Sequence, residues 1–350
     1  MNEQIVPEVA VIVLNHNGKK FLDDCFNSLR LTTYSNYKIY LLDNASTDND
    51  VEYVQANFPE VVIIQNTQNN GFCAAYNLAF KQCKGKYFLC LNNDVKVKPD
   101  WLTHLVNVAE EDDMIAALQP KIVSFFDETK FEYAGSSGGM MDVYGFPFLR
   151  GRVFDTIEDD NGQYNEVIDV FWTCGAACFI RASVLNEIGN FDETIVHHMD
   201  EIDLNWRMHL LGYKVKVVPQ SVILHYGGAT IQQQSFKKMY WNHRNSLYLL
   251  LKNYGLQNAI SKTIIHILLD YMAAGKSIVS LEFTRAFAIL YAHIWIVLNI
   301  FLIVKKRKQV QKIRTKNDEY ILKSMYPRSV VLQYFFGKKK TYTELTNSIK

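Results

Sequence analysis

Four apolar runs in the first hundred residues each end in a short polar group able to grip a polar ligand. They are Asn15-His16-Asn17-Gly18, Asp43-Asn44-Ala45-Ser46-Thr47-Asp48, Asn69-Asn70-Gly71 leading on to Asn77, and Asn92-Asn93-Asp94. A carboxylate such as Asp43 can accept hydrogen bonds from a base imide or a ribose hydroxyl. Asp94, after an apolar strand, can coordinate a hard divalent cation bridging a diphosphate. A glycine loop opening a helix, as at Gly71, suits an anion. Further along, Asp200, Glu201 and Asp203 crowd one helix start, where one carboxylate could serve as a general base. His225 ends another apolar run and could ligate a metal as neutral imidazole.

Each group also has a plain structural use. Asn44 to Asp48 would make an Asx-turn and helix cap through Ser46 or Asp48. Asn70-Gly71 and Asn92-Asn93-Asp94 would make turns, and a lone His is commonly a satisfied core residue. Acids at a helix N-terminus favour the macrodipole, and Asp200 with Asp203 has the spacing of a capping box. Ligand contact gains weight because the groups fall at neighbouring strand ends, where open α/β sheets bind ligands.

The elements that must hold them follow from periodicity. Residues 9–14, 37–42, 61–65 and 86–91 read as strands, separated by amphipathic segments near 18–31, 48–57, 72–83 and 99–110. This alternation predicts an α/β fold, a mostly parallel sheet sandwiched by helices. From about 114 to 180 glycines and acids mark loops between short strands. A helix over Asp200–Leu211, strands at Lys214–Val218 and Ser221–His225, and helices over about 233–325 follow. The expected division is 1–232 as the α/β part, itself divided near 115 into 1–115 and 116–232. Residues 233–350 form a helical, membrane-associating region.

Composition narrows the options. Hydrophobic residues make up 49% and charged residues 21% of the 350, and the net charge is +1. The near-neutral balance argues against a nucleic-acid partner. Six cysteines without a CxxC pair read as reduced buried thiols. No signal peptide is evident. No GxGxxG is present, so a dinucleotide-binding Rossmann reading lacks its main support.

The ordered motifs resemble the inverting glycosyltransferases of family 2, which have the GT-A fold, and among them bacterial rhamnosyltransferase-like enzymes. The resemblance covers about residues 9–250 and implies that 1–232 is catalytic, with about 1–115 binding the nucleotide sugar and 116–232 carrying the acceptor side and the base. It implies a nucleotide-sugar donor framed by Asn15, Asp43, Ser46, Asp48, Asn70, Gly71, Asn77 and Asn93. It makes Asp94 the last residue of the DxD element, with His225, in an H-x-x-G-x-S/T element, completing a Mg²⁺ or Mn²⁺ site. Glu201 occupies the base position of an Glu-Asp-x-Asp motif that here reads Asp-Glu-Ile-Asp, which leaves Asp200 as an alternative and Asp203 as the third acid. Arg244-Asn245 matches an Arg-Asn signature that could contact diphosphate or only pack. The QxxRW element of processive synthases is absent near 232–244, which favours transfer of one sugar or few.

Ala286 to Val304 is apolar enough to span about 28 Å as a helix. A basic run, Lys305-Lys306-Arg307-Lys308 with Lys312, Arg314 and Lys316, follows it. A single crossing would separate the catalytic part from a cytosolic donor, so an interfacial helix at the cytoplasmic face is expected. The expected acceptor is a lipid-linked saccharide of cell-surface polysaccharide synthesis, and a homodimer is possible. The rival readings are a sugar-nucleotide pyrophosphorylase, which would want a basic Gly-rich loop after the first strand, and a membrane-docked scaffold with a degenerate pocket.

Overall fold

A computed structural model describes residues 6–227 and 235–347. Gly228 and Thr230, the last positions of the H-x-x-G-x-S/T element, lie outside the described residues. Strands β1 (Val9–Asn15), β2 (Tyr37–Asp43), β3 (Val62–Gln65) and β4 (Tyr87–Asn92) alternate with helices α1 (Lys19–Arg30), α2 (Asp50–Asn57) and α3 (Gly71–Gln82). The four strands are parallel in the order β3-β2-β1-β4. Their side chains are buried on both faces. Val9, Val11 and Val13 of β1 pack into one core layer and Ala10 and Ile12 into the other, as a helix-covered parallel sheet requires.

The expectation of a mostly parallel sheet holds only for this half. After β5 (Val95–Val97) and α4 (Trp101–Glu110), the chain adds β6 (Ile115–Ser124), β12 (Ala177–Arg181) and β13 (Lys214–His225). β12 lies between β4 and β6 and runs antiparallel to both, while β13 is parallel to β6. The nine-stranded sheet, with β11 (Ile168–Asp169) on its edge, is therefore mixed. The two strands expected at 214–218 and 221–225 are one strand, with a register shift between Val218 and Val222. Between β6 and β12, the strands β7 (Gly139–Met141), β8 (Pro147–Leu149), β9 (Arg152–Val153) and β10 (Thr156–Ile157) form a small antiparallel sheet.

Helices α5 (Ala182–Ile188) and α6 (Asp200–Leu211) precede β13, and α6 stops at Gly212, whose φ of +90° is the left-handed conformation glycine adopts freely. The rest is helical: α7 (Phe236–Asn253), α8 (Leu256–Val279), α9 (Phe283–Leu298), α10 (Ile300–Ile313) and three short helices, α11 to α13, up to Asn347. The apolar stretch 286–304 is not one straight helix. It is bent by 72° between α9 and α10, and no single described helix is long and apolar enough to cross a membrane.

The basic run divides as well. Lys306 pairs with Asp192, Arg307 donates to the carbonyls of Leu251 and Tyr254, and Arg314 meets Asp318. Lys305, Lys308 and Lys312 remain exposed.

Candidate active site

The carboxyl ends of the strands open onto a crevice of about 1160 Å³. Asn44, Asn69 and Gly71 lie at one part of its wall. Asn93, Asp94 and His225 lie at another, and Asp200 and Glu201 at a third. Strand register explains the Asp94–His225 pair. β5 runs antiparallel to β13 with Val95 opposite His225, so Asp94, one residue before β5, falls beside the imidazole. Nε2 of His225 lies 3.1 Å from Oδ1 of Asp94, across 131 residues of sequence.

On its other side, Nδ1 of His225 is 3.2 Å from Oε2 of Glu132, without hydrogen-bond geometry. Burial alone favours a neutral ring, but the Asp94 and Glu132 carboxylates outweigh it and push the imidazole up to about 10. Glu132 escaped the sequence reading, because it sits among loops where periodicity shows no facing.

Among the described residues, no three His, Cys, Asp or Glu side chains form a cluster that by itself could hold a metal ion. Asp94 nevertheless supplies an oxygen donor that suits a divalent ion. His225, whose buried Nδ1 has no hydrogen-bond partner, would join it as neutral imidazole once an ion displaced its proton. The donor set fits an ion whose other ligands are substrate oxygens and water.

Beneath the crevice floor lies a polar lattice. Asn15 donates to Oδ2 of Asp50 at 2.6 Å and to Ser46 at 3.2 Å, and it accepts from Asn93 at 2.6 Å. Asp43, fully buried at the end of β2, accepts from the backbone N–H of Ser46, while its Oδ1 has no partner. The turn after β2 is thus closed by Asp43 and not by Asn44, and the N-cap of α2 is Asn49 with no side-chain cap. Neither Ser46 nor Asp48 caps the helix. Asn44 links Asn66 and Asn69 across the ends of β2 and β3. Asn70 is the N-cap residue of α3 and makes no side-chain cap bond, and Gly71 has φ +82°.

At α6 the three acids have different surroundings. Asp200 is buried. Desolvation first, and then the neighbouring Glu201 carboxylate, hold its carboxyl well above the usual range. Glu201 is half-buried, with Oε1 3.4 Å from the N–H of Gly175. Asp203 faces away from the crevice. Burial opposes its charge, but Lys252 at 2.7 Å and Arg207 at 3.0 Å outweigh this and hold it low. No capping box forms, since the N-cap is Met199 in the left-handed region with no side-chain cap.

Asn77 and Arg244, expected at the ligand, are also turned elsewhere. Asn77 exchanges hydrogen bonds with the backbone of Phe191 and donates to Glu193. Arg244 donates to the carbonyl of Thr194 and to Asn245, and lies over the Trp295 ring at 4.7 Å. Both anchor the 189–199 loop that leads into α6. Neighbouring Asn245 donates to the carbonyls of His197 and His198, and His198 and Met199 both have positive φ.

Residues 10–189 match the family described as glycosyl transferase family 2. The chain belongs to this family. It is 27% identical over 165 residues to a Haemophilus influenzae protein titled uncharacterized glycosyltransferase, covering 46% of this chain and 51% of that one. It is 26% identical over 240 residues to the O-antigen biosynthesis protein RfbC of Myxococcus xanthus, covering 67% and 18%. Over 258 residues it is 23% identical to the N-acetylglucosaminyl-diphospho-decaprenol L-rhamnosyltransferase of Mycobacterium tuberculosis, covering 69% and 83%. The chain therefore spans about half the length of the first relative and under a fifth of the second.

Among solved structures it is similar to GalNAc-T7 with UDP, GalNAc and Mn²⁺ (TM-score 0.57, 16% identity, 85% of this chain and 58% of that one). It is also similar to the mannosyltransferase PcManGT of Pyrobaculum calidifontis in complex with GDP-Man and Mn²⁺ (0.53, 14%, 83% and 87%). These likenesses show a GT-A-like α/β fold.

Proposed function

We propose that this protein transfers a sugar, with inversion, from a nucleotide-diphosphate donor to a hydroxyl of a lipid-linked saccharide in cell-surface polysaccharide synthesis. The observation that carries the reading is that Asp94, His225 and Glu201, distant in sequence, line one crevice at the strand ends. Asn44, Asn69, Gly71 and Asn93 would frame the nucleotide, above the lattice of Asn15, Asp43, Ser46 and Asp50. Asp94 and His225 would hold Mg²⁺ or Mn²⁺, an ion that neutralises a departing diphosphate.

Glu201 takes the proton of the acceptor hydroxyl as its oxygen bonds to the anomeric carbon and the bond to the donor phosphate breaks. One displacement inverts that carbon. Asp200 is the poorer base. Its buried carboxyl favours the protonated form, which cannot accept the proton.

The lipid-linked acceptor draws support from the relative whose name includes diphospho-decaprenol. A peripheral position at the cytoplasmic face is supported by the exposed apolar side chains around the α9–α10 bend, Val297, Leu298 and Phe301, beside exposed Lys305 and Lys308.

The test is Glu201→Gln, assayed with radiolabelled nucleotide sugars and a membrane extract. Loss of a general base should slow label transfer into lipid by about 10² to 10⁴-fold, with donor binding by calorimetry kept. Wild-type turnover in this variant removes Glu201 from the chemistry. Label recovered only through pyrophosphate exchange would make the protein a pyrophosphorylase.

A further inference from the structure

The part of the crevice farthest along the chain from the nucleotide-side loops carries two cations that the transfer chemistry above does not use. Arg152 of β9 and Lys238 of α7 both sit over the Tyr133 ring, at 3.9 Å and 5.4 Å from its centroid. All three residues line the same crevice as Glu201. Arg152 donates through Nη1 to the Phe154 carbonyl, but its Nε is buried without a partner. Neither cation has a carboxylate within ion-pairing distance among the described residues. Glu132, the acid whose field reaches Lys238, is itself engaged by the N–H of Ala134 and lies against His225.

Two like charges gathered on one ring without an acid between them repel each other and await an anion. His198, on the same wall, has a buried Nε2 with no partner. Its ring is neutral because burial, and then Lys238 and His197, lower it to about 4. A neutral imidazole can donate one further hydrogen bond to a phosphate oxygen.

The surroundings say what the anion is attached to. The groups at this end come from the small sheet and the C-terminal helices, not from the β1–β3 loops. His266 of α8 lines the crevice, stacked on Phe146 at 4.2 Å. The same helix exposes Ile264, Leu268 and Tyr271. Those three side chains lie on the side of α8 away from His266. Phe146, Phe154 and the exposed Ile157, by contrast, line the crevice itself and give an amphiphile with a charged link an apolar wall.

We infer that Arg152 and Lys238, seated on Tyr133, form a subsite for the diphosphate of a prenyl-diphosphate-linked acceptor, whose apolar chain leaves past Phe154 and Ile157. This rests on the transfer reading above and gives the acceptor's diphosphate its place in the crevice. The two cations hold the link while the saccharide reaches Glu201.

The test separates binding from transfer in the full-length protein. Geranylgeranyl diphosphate, geranylgeraniol and inorganic pyrophosphate are titrated calorimetrically in detergent. Whichever of UDP, GDP or dTDP binds tightest with Mn²⁺ serves as the donor-side probe. Arg152→Gln and Lys238→Gln should each weaken geranylgeranyl diphosphate about tenfold or more, and leave the nucleotide within about twofold. Lys238→Arg, which keeps the charge, should bind nearly as the wild type does and shows that the fold survives change at this position.

Equal weakening of the nucleotide would assign the cations to the donor and overturn the inference. Unchanged prenyl diphosphate affinity would do the same, as would pyrophosphate binding as tightly as the prenyl compound. A wild type that binds prenyl diphosphate through these residues yet transfers no sugar would refute transfer and leave the subsite standing. Transfer by the double variant with an unaltered acceptor KM would refute the subsite and leave transfer standing.

Discussion

Lys252 lies at the electrostatic centre of the region behind the crevice, and its removal has a calculable cost. Its ammonium is 2.7 Å from both Asp192 and Asp203, and its side chain is only 1% exposed. Burial penalises the charge on Asp192, but Lys252, Lys306 and Tyr248 more than compensate and hold that carboxyl far below its usual range. Lys252→Met keeps the apolar stem and deletes the charge, so two buried carboxylates lose their shared partner. Breaking a buried pair costs about 3–5 kcal/mol. With an unfolding entropy of about 2.1 cal/mol/K per residue, a chain of 350 residues loses roughly 1.4 °C per kcal/mol. The Tm at pH 7.5 should therefore fall by about 4–7 °C.

The sign with pH is fixed as well. Depressed carboxyls stabilise the wild type above their unfolded value near 3.9, and that stability is lost as pH falls through the folded values. In the variant the same acids are buried without Lys252 and protonate more readily, so the gap to wild type should narrow once the pH falls below about 3.9, and pH 7.5 is compared with pH 3. Calorimetric scans of both proteins at the two pH values measure this. A Tm within 1 °C of wild type at pH 7.5, or a gap that does not narrow with acid, refutes the reasoning.

Other outcomes follow from the same geometry. Asp94→Ala should abolish the metal dependence of nucleotide-sugar binding, and calorimetry giving equal affinity with Mn²⁺ and with chelator in both proteins would exclude it from a metal site. Gly139→Ala places a methyl 2.2 Å from the Trp172 ring, so overpacking should cost about 1–3 kcal/mol in urea unfolding, with a change in tryptophan emission. Leu298→Ser with Phe301→Ser removes two exposed apolar side chains at the α9–α10 bend. Sedimentation with anionic vesicles should fall at least about tenfold, since each such group contributes roughly 1.5–3 kcal/mol when buried.

Much of the frame was legible because it depends on local pattern. The four parallel strands and α1, α2, α3, α4 and α6 lie within a residue or two of the periodic runs. Asp94, Glu201 and His225 could be singled out because strand ends and helix starts are local features. What the pattern could not carry was partnership. Asn77 sits on a helix face whose neighbour, Phe191, is 114 residues away, so a ligand role and a packing role look alike in sequence. Asp203 and Asp192 owe their charge states to Lys252, on another helix. Glu132 belongs to a segment without periodicity, and β12 enters the sheet against its neighbours, which no run of apolar residues reveals. The basic run was visible, but the inward turn of Lys306 and Arg307 depends on which face of α10 meets α7.

The grip of Asn245 on two successive carbonyls has a practical consequence. The left-handed corner at His198 and Met199 aims Glu201, yet the amide that steadies it belongs to α7. A truncation at residue 232, just after β13, would cut the brace from the hinge it supports. The helical tail is in this respect masonry of the crevice wall, and a load placed on α7 reaches the start of α6, where Glu201 stands.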